Sequence, residues 1–138
     1  MVVEKVLVGY DGTQHSEHAL QFAIRINDDY DTEIHLALVV QEPAGIADPI
    51  PDEVLESLQR RGQESLLNAE RSVRKQLRKP VTHLEIGNPA EKLLELADKL
   101  KPQLVILGIV KHSSSESLIG TVSSYFLRSR RYPILLVP

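Results

Sequence analysis

Two short segments carry the residue types that could bind an anion. The turn Asp11–Gly12–Thr13 follows an apolar run, and its carboxylate could hydrogen-bond a ribose or a metal-bound phosphate. A turn-forming Asp and a Thr that caps the next helix explain the same residues equally well. The segment Gly120–Thr121–Val122–Ser123 opens a helix, and the partially positive amides at a helix start attract anions. The sequence therefore predicts a cleft for a polyphosphate at the start of this helix.

The residues around this helix start have both functional and structural explanations. Gly120 would let the backbone approach a phosphate, and Thr121 is expected to cap the helix while its hydroxyl reaches a phosphate oxygen. Upstream, Lys111, His112 and the serines at 113–115 either add positive charge and donors to the pocket or form a solvated polar loop. The Lys111 ammonium favours phosphate, whereas a positive φ there would cost about 1 kcal/mol, so the sign of its effect stays open.

The sequence lacks the residues that several other kinds of site require. The chain has no cysteine, which excludes disulfides, thiolate metal sites and thiol catalysis, and it lacks the glycine motifs of P-loops, dinucleotide sites and hydrolase elbows. His15 and His18 could present two imidazoles on one helix face, but without a third ligand we interpret them as surface residues. Packing or hydrogen bonding explains His35 and His83, on strands that could be neighbours. No nucleophile with a base is apparent, so at most slow ATP hydrolysis is expected.

Five apolar runs alternate with mostly helical patterns, at residues 6–10, 34–40, 81–86, 104–108 and 134–137. The first, fourth and fifth are almost continuously apolar, as in strands covered on both faces, while the third alternates and lies nearer an edge. This order predicts an α/β fold with a parallel sheet, right-handed crossovers and helices on both faces. Because such sheets bind ligands beyond the carboxyl ends of their strands, Asp11, Val39 and the loop 108–120 are expected to converge.

Amphipathic spacing and capping residues mark the helices. Apolar residues recur at three- and four-residue steps through residues 52–79, which predicts one long amphipathic helix. Asn88, Pro89 and Glu91 match the N-cap, first and third positions of another helix. Residues 41–51 hold three prolines and a glycine, and they are predicted to form a loop that could fold over a site.

Composition favours a cytoplasmic protein without nucleic-acid or membrane partners. The 138 residues suffice for one domain, 1–138, and the net charge of -3 gives no attraction to nucleic acid or anionic lipid. No run approaches the roughly 20 apolar residues of a membrane span, and residues 1–8 are charged where a signal peptide is apolar. The cations at 128–131 complement the dipole of the last helix.

Several segments taken together resemble the universal stress protein family. They are residues 6–13 with Ala19, Leu20 and Ala23, and residues 85–90, 104–108, 120–123 and 133–137. The resemblance covers nearly the whole chain and implies a Rossmann-like, three-layer α/β/α domain with a five-stranded parallel sheet of order 3-2-1-4-5. The family is commonly homodimeric, and it contains members that bind ATP and members that do not.

The ATP-binding members carry the motif G-x2-G-x9-G-[ST] after the fourth strand. By resemblance, Gly108 matches the first glycine, and Gly120 with Thr121 matches the final pair. Lys111 falls on the second glycine, and only eight residues separate it from Gly120, so the loop is one residue shorter. The resemblance thus implies a nucleotide-binding loop that matches the motif at both ends and departs from it at Lys111 and in its length.

The resemblance also implies residues on the first two strands. Asp11 matches the Asp that lies at the nucleotide, and Val39 matches the position whose backbone contacts adenine, while Tyr10 replaces a small or aliphatic residue. The implied ligand is ATP, alone or with Mg²⁺. The predicted nucleotide-binding residues are Gly9, Tyr10, Asp11, Val39, Leu107, Gly108, Lys111, Gly120, Thr121 and Val122.

A homodimer is expected on a separate physical argument. If Ile134, Leu135, Leu136 and Val137 form an edge strand, they leave an apolar row with unpaired backbone groups, which proteins normally cover. Antiparallel pairing with a second copy would cover it, and Pro133 and Pro138 would limit the length of that ladder.

Three functions follow from these observations. The first is an adenine-nucleotide-binding stress-response protein. The second is a dimeric interaction scaffold without nucleotide, which the departures at Lys111 and in loop length favour. The third is slow ATP hydrolysis or phosphotransfer by Asp11 with Mg²⁺. The sequence favours the first.

Overall fold

The structure is a computed structural model and describes residues 3–43, 45, 49–73, 80–109 and 120–138. Within these ranges strands and helices alternate from end to end. Their bounds are β1 (Lys5–Gly9), α1 (Gln14–Tyr30), β2 (Glu33–Val40), α2 (Asp52–Val73), β3 (Val81–Ile86), α3 (Pro89–Leu100), β4 (Leu104–Gly108), α4 (Thr121–Ser129) and β5 (Ile134–Val137).

The five strands form one parallel sheet in the order β3-β2-β1-β4-β5. β1 is central, because Val8 pairs with Leu36 of β2 on one side and with Ile106 of β4 on the other. The strand order reverses between β1 and β4, which is where parallel sheets open a crevice for ligands. The predicted α/β fold and strand order are confirmed.

Both faces of the sheet are buried, which explains the continuous apolar runs. On one face, Val6 and Val8 belong to a core that includes buried residues of α1 and α2. On the other, Leu7 belongs to a second core with residues of α3 and the fully buried Phe126 of α4. Every residue of β3 is exposed or half-buried, in agreement with its predicted position at an edge.

α1 and α3 begin at side-chain caps. Thr13 Oγ1 accepts the N–H of Ser16 at 3.4 Å, and Asn88 Oδ1 accepts the N–H of Glu91 at 3.1 Å. Pro89 is the first residue of α3. Each cap satisfies an amide that lacks a partner inside its helix, so the predicted start of α3 is confirmed.

α2 is the amphipathic helix that the spacing predicts. An added Cβ on its Gly62 would lie 2.5 Å from Leu84 Cδ1 and 3.1 Å from Val40 Cγ2, so the glycine lets the helix approach β2 and β3 closely. The predicted continuation through residues 74–79 lies outside the described residues, as do positions 44 and 46–48 of the predicted loop. Among the helices that the structure describes, none is long and apolar enough to cross a membrane.

Candidate functional site

A cavity of about 380 Å³ opens at the carboxyl ends of β1, β2 and β4. This volume lies in the range of pockets that hold small molecules and cofactors. Nine of the ten predicted site residues line it, and Lys111 lies outside the described residues. Those nine are Gly9, Tyr10, Asp11, Val39, Leu107, Gly108, Gly120, Thr121 and Val122.

The turn after β1 is held by its own hydrogen bonds. Asp11 Oδ1 accepts the backbone N–H of Thr13 at 3.0 Å and its hydroxyl at 2.5 Å, while the Asp11 N–H donates to Ser16 Oγ at 3.3 Å. Burial alone would raise the pKa of Asp11, but these hydrogen bonds and the nearby charge of His15 lower it on balance. Asp11 therefore presents a carboxylate to the cavity at neutral pH, and both of its proposed roles, turn former and ligand contact, are compatible with this geometry.

Tyr10 forms part of the cavity wall and also belongs to the core under α1. The residue is 8% exposed, and its hydroxyl donates to Glu17 Oε2 at 3.0 Å. Burial, followed by the hydrogen bond and the negative charge of Glu17, raises the pKa of Tyr10 to about 12. The side chain is therefore a neutral donor fixed to α1, and the cavity remains open beside it.

The glycines of the predicted site differ in what surrounds them. A Cβ on Gly108 would lie 2.5 Å from the backbone C and O of His15, and one on Gly9 would lie 2.7 Å from Leu107 Cδ2. A Cβ on Gly120 would meet no atom within 4 Å. Gly108 and Gly9 thus have a packing role, whereas the absence of a side chain at Gly120 leaves space in the cavity.

α4 begins without a side-chain cap. Gly120 is its N-cap residue, with φ −70° and ψ 172°, and the first backbone bond of the helix runs from the Ser124 N–H to the Gly120 carbonyl at 2.9 Å. The prediction that Thr121 caps the helix is wrong, because Thr121 is already the first helical residue and a capping side chain must stand one position earlier. Among the residues that the structure describes, no side chain caps the amides of Thr121 and Val122 at the helix start.

The backbone of Val39 faces the cavity at the end of β2. The Tyr10 N–H donates to the Ala37 carbonyl at 2.8 Å, and the Gly87 N–H donates to the Val40 carbonyl at 3.0 Å. Since successive residues of a parallel strand turn their polar groups to opposite neighbours, Val39 directs its N–H and C=O toward the β1 side. The paired part of β1 ends at Gly9, opposite Ala37, so Val39 lies beyond the end of that ladder.

Two lining residues, His15 and Ser123, were not among the predicted site residues. Ser123 is 4% exposed, and its hydroxyl makes no hydrogen bond with any residue that the structure describes. Its position three residues after the Gly120 cap was the available signal, because a third helical residue can face a ligand at the helix start. His15 follows the Thr13 cap by two residues and faces the cavity from α1.

His18, His35 and His83 do not line this cavity. His35 is 5% exposed, its Nδ1 lies 2.8 Å from His83 Nε2, and its other ring nitrogen contacts the Glu33 carboxylate. The predicted hydrogen-bonding interpretation is confirmed. Burial and then the charge of His35 lower the pKa of His83, although Glu85 opposes them. No group of three metal-ligating side chains occurs within the described ranges.

This protein has the strand order, the helices on both faces and the crevice beside β1 of a doubly wound α/β domain. Domains of this class bind ligands at the switch point, where the strand order reverses. The model of the Universal stress protein family matches residues 3–138, and the chain belongs to that family. A universal stress protein from Methanocaldococcus jannaschii is 27% identical over an alignment of 138 positions, which covers 97% of this chain and 81% of the relative.

Solved structures share the same fold. The universal stress protein of Lactobacillus plantarum superposes with a TM-score of 0.86 at 17% identity, covering 100% of this chain and 99% of the other. The universal stress protein of Archaeoglobus fulgidus in complex with dAMP superposes with a TM-score of 0.70 at 18% identity, covering 100% of each chain. At these identities the likeness establishes the fold.

Proposed function

We propose that this protein binds an adenine nucleotide, ATP alone or with Mg²⁺, as a stress-response protein. The observation that carries the proposal is the open start of α4, where uncapped amides face the same cavity as the Val39 backbone. One end of the cavity thus offers donors for an anion, and the other offers a donor and an acceptor for a heterocycle. The dAMP complex of the Archaeoglobus fulgidus protein supports this choice of ligand class.

The phosphate end of the proposed site rests on α4. The amides of Thr121 and Val122 and the hydroxyl of Ser123 are donors, and the helix dipole adds partial positive charge at this point. Gly120 leaves its side-chain volume empty, so a phosphate can approach the backbone there. This arrangement favours a phosphate over a neutral ligand.

The nucleoside end rests on β1 and β2. The N–H and C=O of Val39 present one donor and one acceptor, which the edge of adenine matches with its ring nitrogen and amino group. Leu93 and Leu107 supply apolar lining for a flat base. The ionised Asp11 accepts hydrogen bonds only, so it suits a ribose hydroxyl or an Mg²⁺ ion held by the phosphates.

The proposal is tested by calorimetric titration of the purified protein with ATP, with and without Mg²⁺, and with GTP as the matched control. We expect saturable ATP binding and at least tenfold weaker GTP binding, because guanine reverses the donor and acceptor on its edge. Denaturing the freshly purified protein should also release an adenine nucleotide that mass spectrometry detects. No saturation by ATP up to millimolar concentration would overturn the proposal.

The proposed assembly is a homodimer through β5. The carbonyls of Pro133 and Val137 accept the N–H groups of Val105 and Ile109 at 2.9 and 2.7 Å, so Ile134 and Leu136 turn their backbone groups to the open side of the sheet. All four residues of β5 are half-buried within one chain. A second copy would cover this apolar edge.

Sedimentation at micromolar concentration tests the assembly, with an expected mass of two chains. Leu136→Pro removes a donor on the open side and should give a monomer that keeps its fold, whereas Leu135→Pro removes a donor that faces β4 and should destabilise each chain. A monomeric wild-type protein, or a dimer that Leu136→Pro leaves unchanged, would contradict the proposal.

A second candidate function is a dimeric interaction scaffold without nucleotide. It is favoured by the exposed apolar side chains Tyr125 and Leu127 on α4, which are 40% and 44% accessible. The titration separates the two functions, because a stable dimer that takes up no ATP supports the scaffold, and a saturable ATP site supports the first function.

A further inference from the structure

His15, one of the two histidines of α1, extends the proposed site. His15 is the second residue of α1, and its backbone C and O lie where a Cβ on Gly108 would be 2.5 Å away. This contact fixes the start of α1 against the end of β4. The position of His15 is therefore set by two paired elements of the fold.

His15 is placed where it can contact a ligand in the cavity. His15 lines the cavity together with Asp11 on its own side and with Gly120 and Ser123 of α4. Its imidazole makes no hydrogen bond with any residue in the described ranges. The charge of His15 also contributes to lowering the pKa of Asp11, another residue of the cavity wall.

Glu17 and His18, two polar residues near His15 on α1, already have hydrogen-bond partners. Glu17 accepts from the Tyr10 hydroxyl at 3.0 Å and from Gln21 Nε2 at 3.3 Å. His18, on the next turn, is exposed, and its Nδ1 lies 2.9 Å from the Pro138 carbonyl oxygen. Of these three residues His15 alone lines the cavity, and its imidazole has no hydrogen-bond partner among the residues that the structure describes.

We propose that His15 binds the phosphate of the nucleotide from the side opposite the amides of α4. This proposal rests on the proposed adenine-nucleotide site, and it assigns to one residue the preference for phosphorylated over unphosphorylated nucleosides. An imidazole N–H donates to a phosphate oxygen, and the bond is strengthened when the ring is protonated. His15 and Ser123 would then hold the phosphate between α1 and α4.

The test compares AMP with adenosine on the wild-type protein and on three variants, by calorimetric titration. His15→Ala should weaken AMP binding by about tenfold and leave adenosine binding within twofold of wild type. His15→Lys keeps a hydrogen-bond donor at this position and carries a positive charge, so it should retain AMP binding. His18→Ala is the matched control from the next turn of the same helix, and it should bind both ligands as wild type does.

Each outcome decides between specific alternatives. Equal AMP affinity in His15→Ala and wild type would overturn the role of His15 while leaving the nucleotide site intact. An equal loss of AMP and adenosine, not rescued by His15→Lys, would assign His15 to the structure of the site and also overturn the proposal. If the wild-type protein binds neither ligand, both the nucleotide site and the role of His15 fail.

Discussion

Two helices begin at the same cavity, and their starts are built differently. At α1, Thr13 caps the helix, and the Asp11 carboxylate binds the Thr13 N–H and hydroxyl. At α4, Gly120 occupies the N-cap position and provides no side chain. The comparison teaches that a helix start capped by side chains contributes to holding the fold together, whereas the uncapped start of α4 leaves amides that the proposed anion site would use.

The largest effect on stability is expected at the contact that locks the start of α1. Gly108→Ala places a Cβ 2.5 Å from the His15 backbone. Because this distance is too short for two carbon atoms, α1 must move to accommodate the new methyl group. We expect a loss of about 1 to 3 kcal/mol in the free energy of unfolding, measured by urea denaturation. An unchanged midpoint would mean that α1 is not fixed against β4.

A smaller effect is expected from removing the cap of α1. Thr13→Ala should lower the free energy of unfolding by about 1 kcal/mol, since it leaves the Ser16 amide without its partner. Thr121→Ala is the matched control at α4, where the side chain caps nothing, and its effect should stay within about 0.5 kcal/mol. Equal losses in the two variants would remove the distinction between the helix starts.

The smallest effect is expected in the acid dependence of stability. Burial alone would raise the pKa of Asp11, but its hydrogen bonds hold that pKa below the ordinary value. The resulting stabilisation is complete above the unfolded pKa of about 3.9 and is lost as the pH falls through the lower folded value. Asp11→Asn should therefore lose less stability than wild type between pH 4 and 2, as followed by thermal melts, and parallel curves would contradict this.

The sequence predicted the framework well, because strand runs and caps are encoded locally. Asn88 and Pro89 indicate the start of α3, and the apolar run of β4 indicates a strand covered on both faces. The Gly120–Thr121 pair was harder, since either residue can occupy an N-cap position and only the helix register decides between them.

The inner surface of the cavity was less predictable than the framework. The packing role of Gly108 depends on the backbone of His15, a residue 93 positions away in the chain, and no local pattern reveals that contact. The position of Ser123 in the cavity wall likewise depends on what α4 faces once the sheet has formed. Sequence patterns indicate where a site lies, whereas the contacts between distant segments determine which side chains are free within it.

The most direct test converts the open start of α4 into a closed one. Gly120→Asp supplies an N-cap carboxylate at a position whose backbone already has the φ and ψ of a cap. We predict that the variant gains about 0.5 to 1 kcal/mol in the free energy of unfolding. We also predict that it loses about 100-fold in ATP affinity by calorimetry, because the new side chain takes the amides and repels phosphate. Gly120→Asp with wild-type ATP affinity would contradict the account.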